Sequence, residues 1–266
     1  NPFLLPDMSQ AVSRIYKALL SGEKIAIYGD FDVDGVTAVT ILAEGLSWLG
    51  GKIIPYIPDR FSQGHGLNSP AIKKLRDQGA SLTITVDCGI SDPAEVKQAQ
   101  EIGMDMIITD HHIPSTTLPP AIAVIDPKRK DSRYPFPDLA GAGVAFKLLQ
   151  ALFYKHSKWE RLSELLDLVA LGTVADMVPL TGENRYLVKE GLSVLSNTKR
   201  IGLQEMIKLT GLKPDKIDTE DVSWTLAPRL NAAGRMEDAT TSYRLLTTCS
   251  QEEAHLLALE LEERNA

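Results

Sequence analysis

The sequence predicts an α/β fold, a parallel sheet flanked by helices and followed by a mainly helical segment. The first half alternates short apolar runs with amphipathic stretches, the pattern left by strands linked through crossover helices. The apolar runs over 24–28, 82–86, 106–109 and 122–125 each reach an aspartate within two positions. Beyond the proline-rich Tyr134-Pro135-Phe136-Pro137 the apolar residues recur at helical spacing. We expect an α/β domain over 1–175 and, over 176–266, a helical part that completes the core and leads to a further domain.

The expected strands cover 24–28, 52–57, 82–86, 106–109 and 122–125, each a run of apolar and β-branched residues. Helices are expected over 36–49, 69–78 and 92–102 between them. Ser69-Pro70 and Asp92-Pro93 read as N-caps followed by proline in the first turn. Further helices are expected over 142–154, 160–171, 185–195 and 252–264.

At 266 residues with 44% hydrophobic and 24% charged side chains, the composition is that of a globular protein with a sizeable core. No apolar run approaches the length of a membrane span, which excludes a helical membrane protein. The two cysteines, Cys88 and Cys249, stand far apart in no metal-binding spacing. That usage fits a reducing compartment, and a cytoplasmic location is expected. A net charge of −7 runs against the basic balance usual in nucleic-acid binders. It loses force where acidic residues gather to hold cations, because bound ions invert the local field.

The acidic residues do gather. The first strand runs into Gly29-Asp30-Phe31-Asp32-Val33-Asp34-Gly35 and the third into Val86-Asp87-Cys88-Gly89. The fourth runs into Asp110-His111-His112 and the fifth into Asp126-Pro127. In an open parallel sheet the carboxyl ends of the strands form one edge, where ligands bind. Aspartates often punctuate loops with no further role, but a set that includes two adjacent histidines exceeds punctuation. In an extended segment the alternating Asp30, Asp32 and Asp34 share one face. Three carboxylates so close repel one another unless a cation compensates. Oxygen and imidazole ligands favour Mn²⁺ or Mg²⁺, with zinc disfavoured by the lack of thiolates. The segment also opens like an EF-hand loop, but Ile41 stands where the bidentate glutamate belongs and a strand precedes it.

His111 and His112, as neighbours, point in different directions, so one can bind metal while the other faces substrate. His65, His156 and His255 are read as structural, although the Gly64-His65-Gly66 turn could border the cleft. Asp176 follows an apolar helix and is a further candidate ligand. Arg229, Asn231 and Arg235 lie in a segment read as turn-like, suited either to phosphate oxygens or to an ordinary solvated loop.

Together these motifs resemble the DHH phosphoesterase superfamily, and within it the RecJ-like exonuclease family. GDFDVDGVTA, TVDCGI, TDHHIP, YPFPDLAGAGVAFKL, GTVADMVPL and APRLNAAGRM stand in that family's order. The resemblance covers essentially the whole chain. It implies that Asp34, Asp87, His111 and Asp176 bind one ion, and that Asp30, Asp32 and a bridging Asp87 bind a second. It makes His112 and Asp110 the catalytic residues, with His112 against the scissile phosphate. Arg235, Asn231 and Arg229 would contact substrate phosphate, with Arg60 near the bound 5′ end. Some relatives carry a histidine where Tyr28 stands.

The implied activity is two-metal, 5′→3′ hydrolysis of single-stranded DNA to mononucleotides in repair and recombination. Single-strand-binding protein and a helicase are the implied partners. A small-substrate phosphoesterase and a non-catalytic replication scaffold are the alternatives. RecJ-like proteins continue into a second domain with a glycine-rich, histidine-containing motif. The chain is therefore expected to be a fragment, or a member reduced to its core.

Overall fold

The computed structural model describes residues 1–154, 156–234 and 240–265, with the backbone alone at 61 and 62. Five strands form one parallel sheet: β1 (Lys24–Gly29), β2 (Lys52–Tyr56), β3 (Ala80–Val86), β4 (Asp105–Thr109) and β5 (Ala123–Ile125). Their order is β2-β1-β3-β4-β5. Register is set by pairs such as Gly29 with Val86 and Val86 with Thr109, which bring the carboxyl ends of β1, β3 and β4 level. The strand order reverses between β1 and β3, and that switch point opens a crevice at the carboxyl edge.

Both faces of the sheet are covered, so the inner strands are apolar with little alternation. On one face α4 (Ser69–Asp77) and α5 (Pro93–Glu101) seal a core of Ala26, Tyr28, Ile72, Leu75, Val96, Met106 and Ile108. On the other lie α1 (Met8–Leu20), α2 (Val33–Trp48) and α6 (Gly141–Leu152). Helix α2 is buried on nearly every side from Val33 to Leu46, because the sheet lies on one flank and α6 and α7 (Leu166–Ala175) on the other. A short α3 (Arg60–Gln63) follows β2.

The remaining helices are α8 (Gly182–Leu195), α9 (Ile201–Leu209), a single turn α10 (Thr219–Asp221), α11 (Ala227–Gly234), α12 (Thr240–Thr247) and α13 (Gln251–Asn265). Their apolar faces join the same cluster as α2, which runs unbroken from Leu5 to Leu261. Buried charge ties the layers together. Arg200, at the start of α9, meets Glu44 of α2 at 2.5 and 2.9 Å, Asp167 of α7 at 3.1 Å, and the carbonyl of Leu246 in α12 at 3.2 Å.

Several sequence expectations need correction. The segment 227–234, read as turn-like from its Pro, Asn and Gly, is α11. The helical run is continuous from Thr219 and passes through a π-helical turn at Val222–Leu226, so Pro228 follows an irregular turn, and burial of Ala227, Leu230, Ala232 and Ala233 favours the helix. The cap of α4 is Asn68, which accepts from the amide of Ala71, with Ser69 already helical. Asp92 is the N-cap of α5 with Pro93 in the first turn, as expected, but its carboxylate makes no capping bond and accepts instead from the amide of Leu67 at 2.8 Å. The helix expected from 160 is a 3₁₀ stretch over Trp159–Leu165 before α7 begins.

Among the described residues no helix is long and apolar enough to cross a membrane. Removing one member of a buried ion cluster strands the others without compensation. Arg200→Ala should therefore cost about 3–5 kcal/mol of stability, read as a lowered midpoint in urea unfolding. A midpoint equal to wild type would show that this cluster does not clamp the helices to α2.

Candidate metal centre

The site is assembled at the switch point. Beyond β1 the chain passes through Asp30 and Phe31 and enters α2 with Asp32 as N-cap, its Oδ1 accepting from the amide of Gly35 at 2.9 Å. The amide of Val33 donates to Oδ1 of Asn231, 3.0 Å away, so α11 supplies part of this cap. A helix N-terminus favours anions through its free amides and dipole. Asp30, Asp32 and Asp34 thus share the positive end of α2.

Asp34 lies inside the first turn and is fully buried. Its Oδ2 accepts from the amide of Gly141 at 2.6 Å and its Oδ1 from that of Ala142 at 2.8 Å. The first amides of α6 therefore hold this carboxylate. Their approach needs glycine. A Cβ at Gly141 would stand 2.7 Å from the Asp87 Cβ and 2.9 Å from Asp34 Oδ2, and one at Gly172 2.7 Å from Asp34 Oδ1.

Asp87 follows β3 with φ of 59°, a left-handed backbone that a non-glycine residue adopts only at some cost. Its amide donates to the Thr109 carbonyl of β4, which fixes the bend and aims the carboxylate across the crevice. Oδ1 of Asp87 lies 3.0 Å from Nε2 of His111, and that nitrogen lies 3.7 Å from Asp176 Oδ2 and 3.9 Å from Asp34 Oδ2. Ligand atoms of Asp34, His111 and Asp176 all fall within 4.8 Å of one another, as do those of Asp30, Asp32 and Asp87.

The electrostatics of this arrangement are unfavourable without a cation. Burial, and then the charges of Asp176 and Asp32, push Asp34 well above the usual carboxylate range. Burial and then Asp34 and Asp32 do the same to Asp87. Burial, with Asp32 next, raises Asp176 to about 6. Burial and the charge of His112 lower His111 to about 4, leaving a neutral imidazole with a lone pair to offer. Asp87 Oδ1, Asp176 Oδ2 and His111 Nε2 are buried and, among the described residues, make no hydrogen bond. Buried polar atoms are rarely left so. Three converging acceptors without a donor fit a divalent cation with hard oxygen and imidazole ligands.

His112 stands at the mouth of the cluster, half-exposed, with a ring nitrogen within 4.8 Å of ligand atoms of Asp87 and His111. Its Nδ1 meets Asp110 Oδ1 at 2.7 Å, and this hydrogen bond, against the opposing effect of burial, raises His112 to about 9. Burial alone would push Asp110 up. The His112 hydrogen bond and charge, with the amide of Ile90, hold it below its ordinary value instead. Asp110 also accepts from the amides of His111 and His112. Its oxygens are thus committed to shaping the turn and orienting His112, and Nε2 is the atom His112 has left for the cleft.

Beside this centre a cavity of about 220 Å³ is lined by Phe31, Asp32, Arg60, His65, Asn231 and Gly234. Arg60 stacks over the Phe31 ring at 5.3 Å. His65, read from sequence as structural, packs on the same ring and places Nδ1 3.2 Å from Asp30 Oδ2. Arg229 points elsewhere, paired with Glu262 of α13 and the Thr225 carbonyl. Arg235 lies outside the described residues. Sequence reasoning missed the α6 amides and Gly141; the signal was the run of small residues, Ala140-Gly141-Ala142-Gly143, after a proline-rich loop.

Such a cage over the switch point of a parallel sheet defines an α/β protein arranged to hold divalent cations. The chain belongs to the DHH family: residues 24–173 match the DHH family, N-terminal domain. It is 46% identical over 265 residues to the single-stranded-DNA-specific exonuclease RecJ of Bacillus subtilis, covering 100% of this chain and 33% of that protein. A crystal structure of exonuclease RecJ bound to manganese superposes with a TM-score of 0.88 at 38% identity, over 98% of this chain and 66% of the other. RecJ in complex with Mn²⁺ from Thermus thermophilus superposes with a TM-score of 0.83 at 36% identity, over 98% of this chain and 38% of that one. The chain thus spans a third of the Bacillus relative.

The glycine requirement yields a direct test. Gly141→Ala should force the Asp34 and Asp87 carboxylates apart, weakening Mn²⁺ binding in calorimetric titration by at least tenfold. Overpacking should cost about 1–3 kcal/mol of stability alongside. Unchanged Mn²⁺ affinity would show that the α6 N-terminus does not set the spacing of these ligands.

Proposed function

We propose that the chain is the catalytic core of a two-metal phosphodiesterase that degrades single-stranded DNA from the 5′ end to mononucleotides. The observation that carries this reading is the set of unpartnered, converging acceptors of Asp87, His111 and Asp176 at the switch point. Similarity over essentially the whole chain to proteins named single-stranded-DNA-specific exonuclease RecJ supports the substrate and the exonuclease activity.

In this reading Asp34, Asp87, His111 and Asp176 hold one Mn²⁺ or Mg²⁺, while Asp30, Asp32 and the shared Asp87 hold a second. Paired divalent cations supply a water nucleophile at neutral pH and neutralise charge on the phosphate. The protein's own contribution is placement. Asp110 fixes the His112 ring, whose Nε2 meets a phosphate oxygen and donates a proton to it or to the leaving group. Asn231 keeps its oxygen on α2 and turns its amide nitrogen to the cavity it shares with Arg60, where the 5′ end of the strand lies. Arg235 is retained as a phosphate contact. Arg229, paired with Glu262, would have to exchange that partner to join it. The same reading places the protein in the cytoplasm, in repair and recombination, with single-strand-binding protein and a helicase as partners. A non-catalytic scaffold would be expected to have lost ligands, and every expected ligand is present in this sequence.

The deciding experiment follows single-stranded DNA labelled at either end in Mn²⁺. A 5′ label should appear at once as mononucleotide, and a 3′ label only after shortening intermediates. Release of mononucleotide from the 3′ end first, or cleavage confined to a few nucleotides' length, would overturn the assignment in favour of another phosphoesterase. Within the same assay His112→Ala should lower turnover by about two to four orders of magnitude while leaving Mn²⁺ binding close to wild type. His111→Ala should weaken Mn²⁺ binding itself. The reverse pattern would mean the two histidines exchange roles.

A further inference from the structure

Three consecutive residues after β5 could carry positive charge, and the structure treats them differently. Arg129 is buried and saturated by Asp7, Asp131 and the Val124 carbonyl. Lys130 is exposed. Lys128 is half-buried, and its ammonium has neither a hydrogen bond nor an ion pair among the described residues. Half-buried lysines ordinarily find a carboxylate or reach water along their full length. In a chain of net charge −7 an unpartnered one beside an acidic site calls for an explanation.

Its place in the fold supplies one. β4 and β5 end level, with Thr109 beside Ile125, and the amide of Asp110 donates to the Ile125 carbonyl at 3.1 Å. The next residue, Asp126, is fully buried, and its Oδ1 accepts from the amide of Lys128 at 2.7 Å. This Asp-Pro-Lys turn folds Lys128 back along the carboxyl edge of the sheet, beside the Asp110-His111-His112 turn. The reach of its charge agrees with that placement. Behind the larger effects of burial, and for His112 of the Asp110 hydrogen bond, the Lys128 ammonium acts on His111, His112, Asp126 and Asp176 alike. Of these groups His111, His112 and Asp176 belong to the metal centre, and none of them lines the cavity that holds Arg60 and Asn231.

We propose that Lys128 is a substrate-binding residue whose ammonium contacts a non-bridging phosphate oxygen on the His112 flank of the metal centre, with Asp126 as its positioning residue. This inference rests on the phosphodiester reading above. A strand of nucleic acid lying across the crevice offers a phosphate to each flank. On this one the phosphate becomes the partner that Lys128 lacks, forming a charge-assisted bond. The buried Asp126 serves by its backbone contact, which a neutral side chain with the same oxygen also makes.

The test compares wild type, Lys128→Ala and Lys128→Arg for cleavage of a deoxythymidine oligomer in Mn²⁺ and for affinity to the same oligomer across a range of salt. Lys128→Ala should lower kcat/KM roughly tenfold to a hundredfold, the loss expected for one charged hydrogen bond. It should also flatten the dependence of log affinity on log salt by about 0.7, the loss of one phosphate contact on a single strand. Lys128→Arg should restore the slope and most of the activity, and both variants should keep wild-type Mn²⁺ affinity and Tm. An unchanged slope in Lys128→Ala, or an arginine variant no better than alanine, overturns the proposal. Wild type that binds the oligomer without cleaving it would sink the phosphodiesterase reading alone, since the slopes would still decide Lys128. Wild type that neither binds nor cleaves it would overturn both.

Discussion

Negative charge held out of water is the constraint on which the rest of this structure depends. Asp34 and Asp87 are almost entirely buried, and Asp30 and Asp176 crowd beside them. Carboxylates in such a place must be protonated, hydrogen-bonded or met by cations. The fold uses the last two. Helix α2 brings its N-terminus to Asp30 and Asp32, and α6 gives its first two amides to Asp34. What these dipoles leave uncompensated are the buried acceptors of Asp87, His111 and Asp176, which have the charge and chemistry of ligands to divalent ions.

The need to bring two helix ends to one point explains features that would otherwise be costly. Asp87 carries a left-handed backbone so that its carboxylate leaves β3 toward α6 instead of along the sheet. Gly141 and Gly172 have no side chain because α6 and α7 close on Asp34 more tightly than a Cβ permits. With those helices fixed against α2, the C-terminal helices are drawn onto their outer faces. Arg200 then spans Glu44, Asp167 and α12 in one buried cluster. Strain at the centre and ion pairs at the periphery are parts of the same packing solution.

Much of the metal centre was legible in the sequence, because parallel sheets put chemistry at strand ends and strand ends can be read from apolar runs. Asp30, Asp32, Asp34, Asp87 and His111 each follow such a run, and the structure brings them together. What could not be read depends on distance along the chain. The amide of Gly141 meets a carboxylate 107 residues away, and Asn231 caps a helix 198 residues upstream. No local pattern announces either bond. The helix α11 was misread for a related reason. Pro228, Asn231 and Gly234 favour turns in isolation, but burial of four apolar residues and the Asn231 contact with α2 favour the helix. Tertiary packing overrode propensity there.

The two histidines show how one turn can divide labour between adjacent residues. Both leave β4 through the same aspartate, whose oxygens accept from both backbone amides and from the His112 ring. Asp110 is spent on that turn and has nothing left for a metal. His111 is thereby turned inward, where burial keeps it neutral and able to ligate. His112 is turned outward, where the same carboxylate keeps it charged and able to donate. Replacing Asp110 would therefore disturb both imidazoles at once. The three-residue motif is one device, in which burial keeps His111 neutral against the pull of Asp110, while the same carboxylate keeps His112 charged.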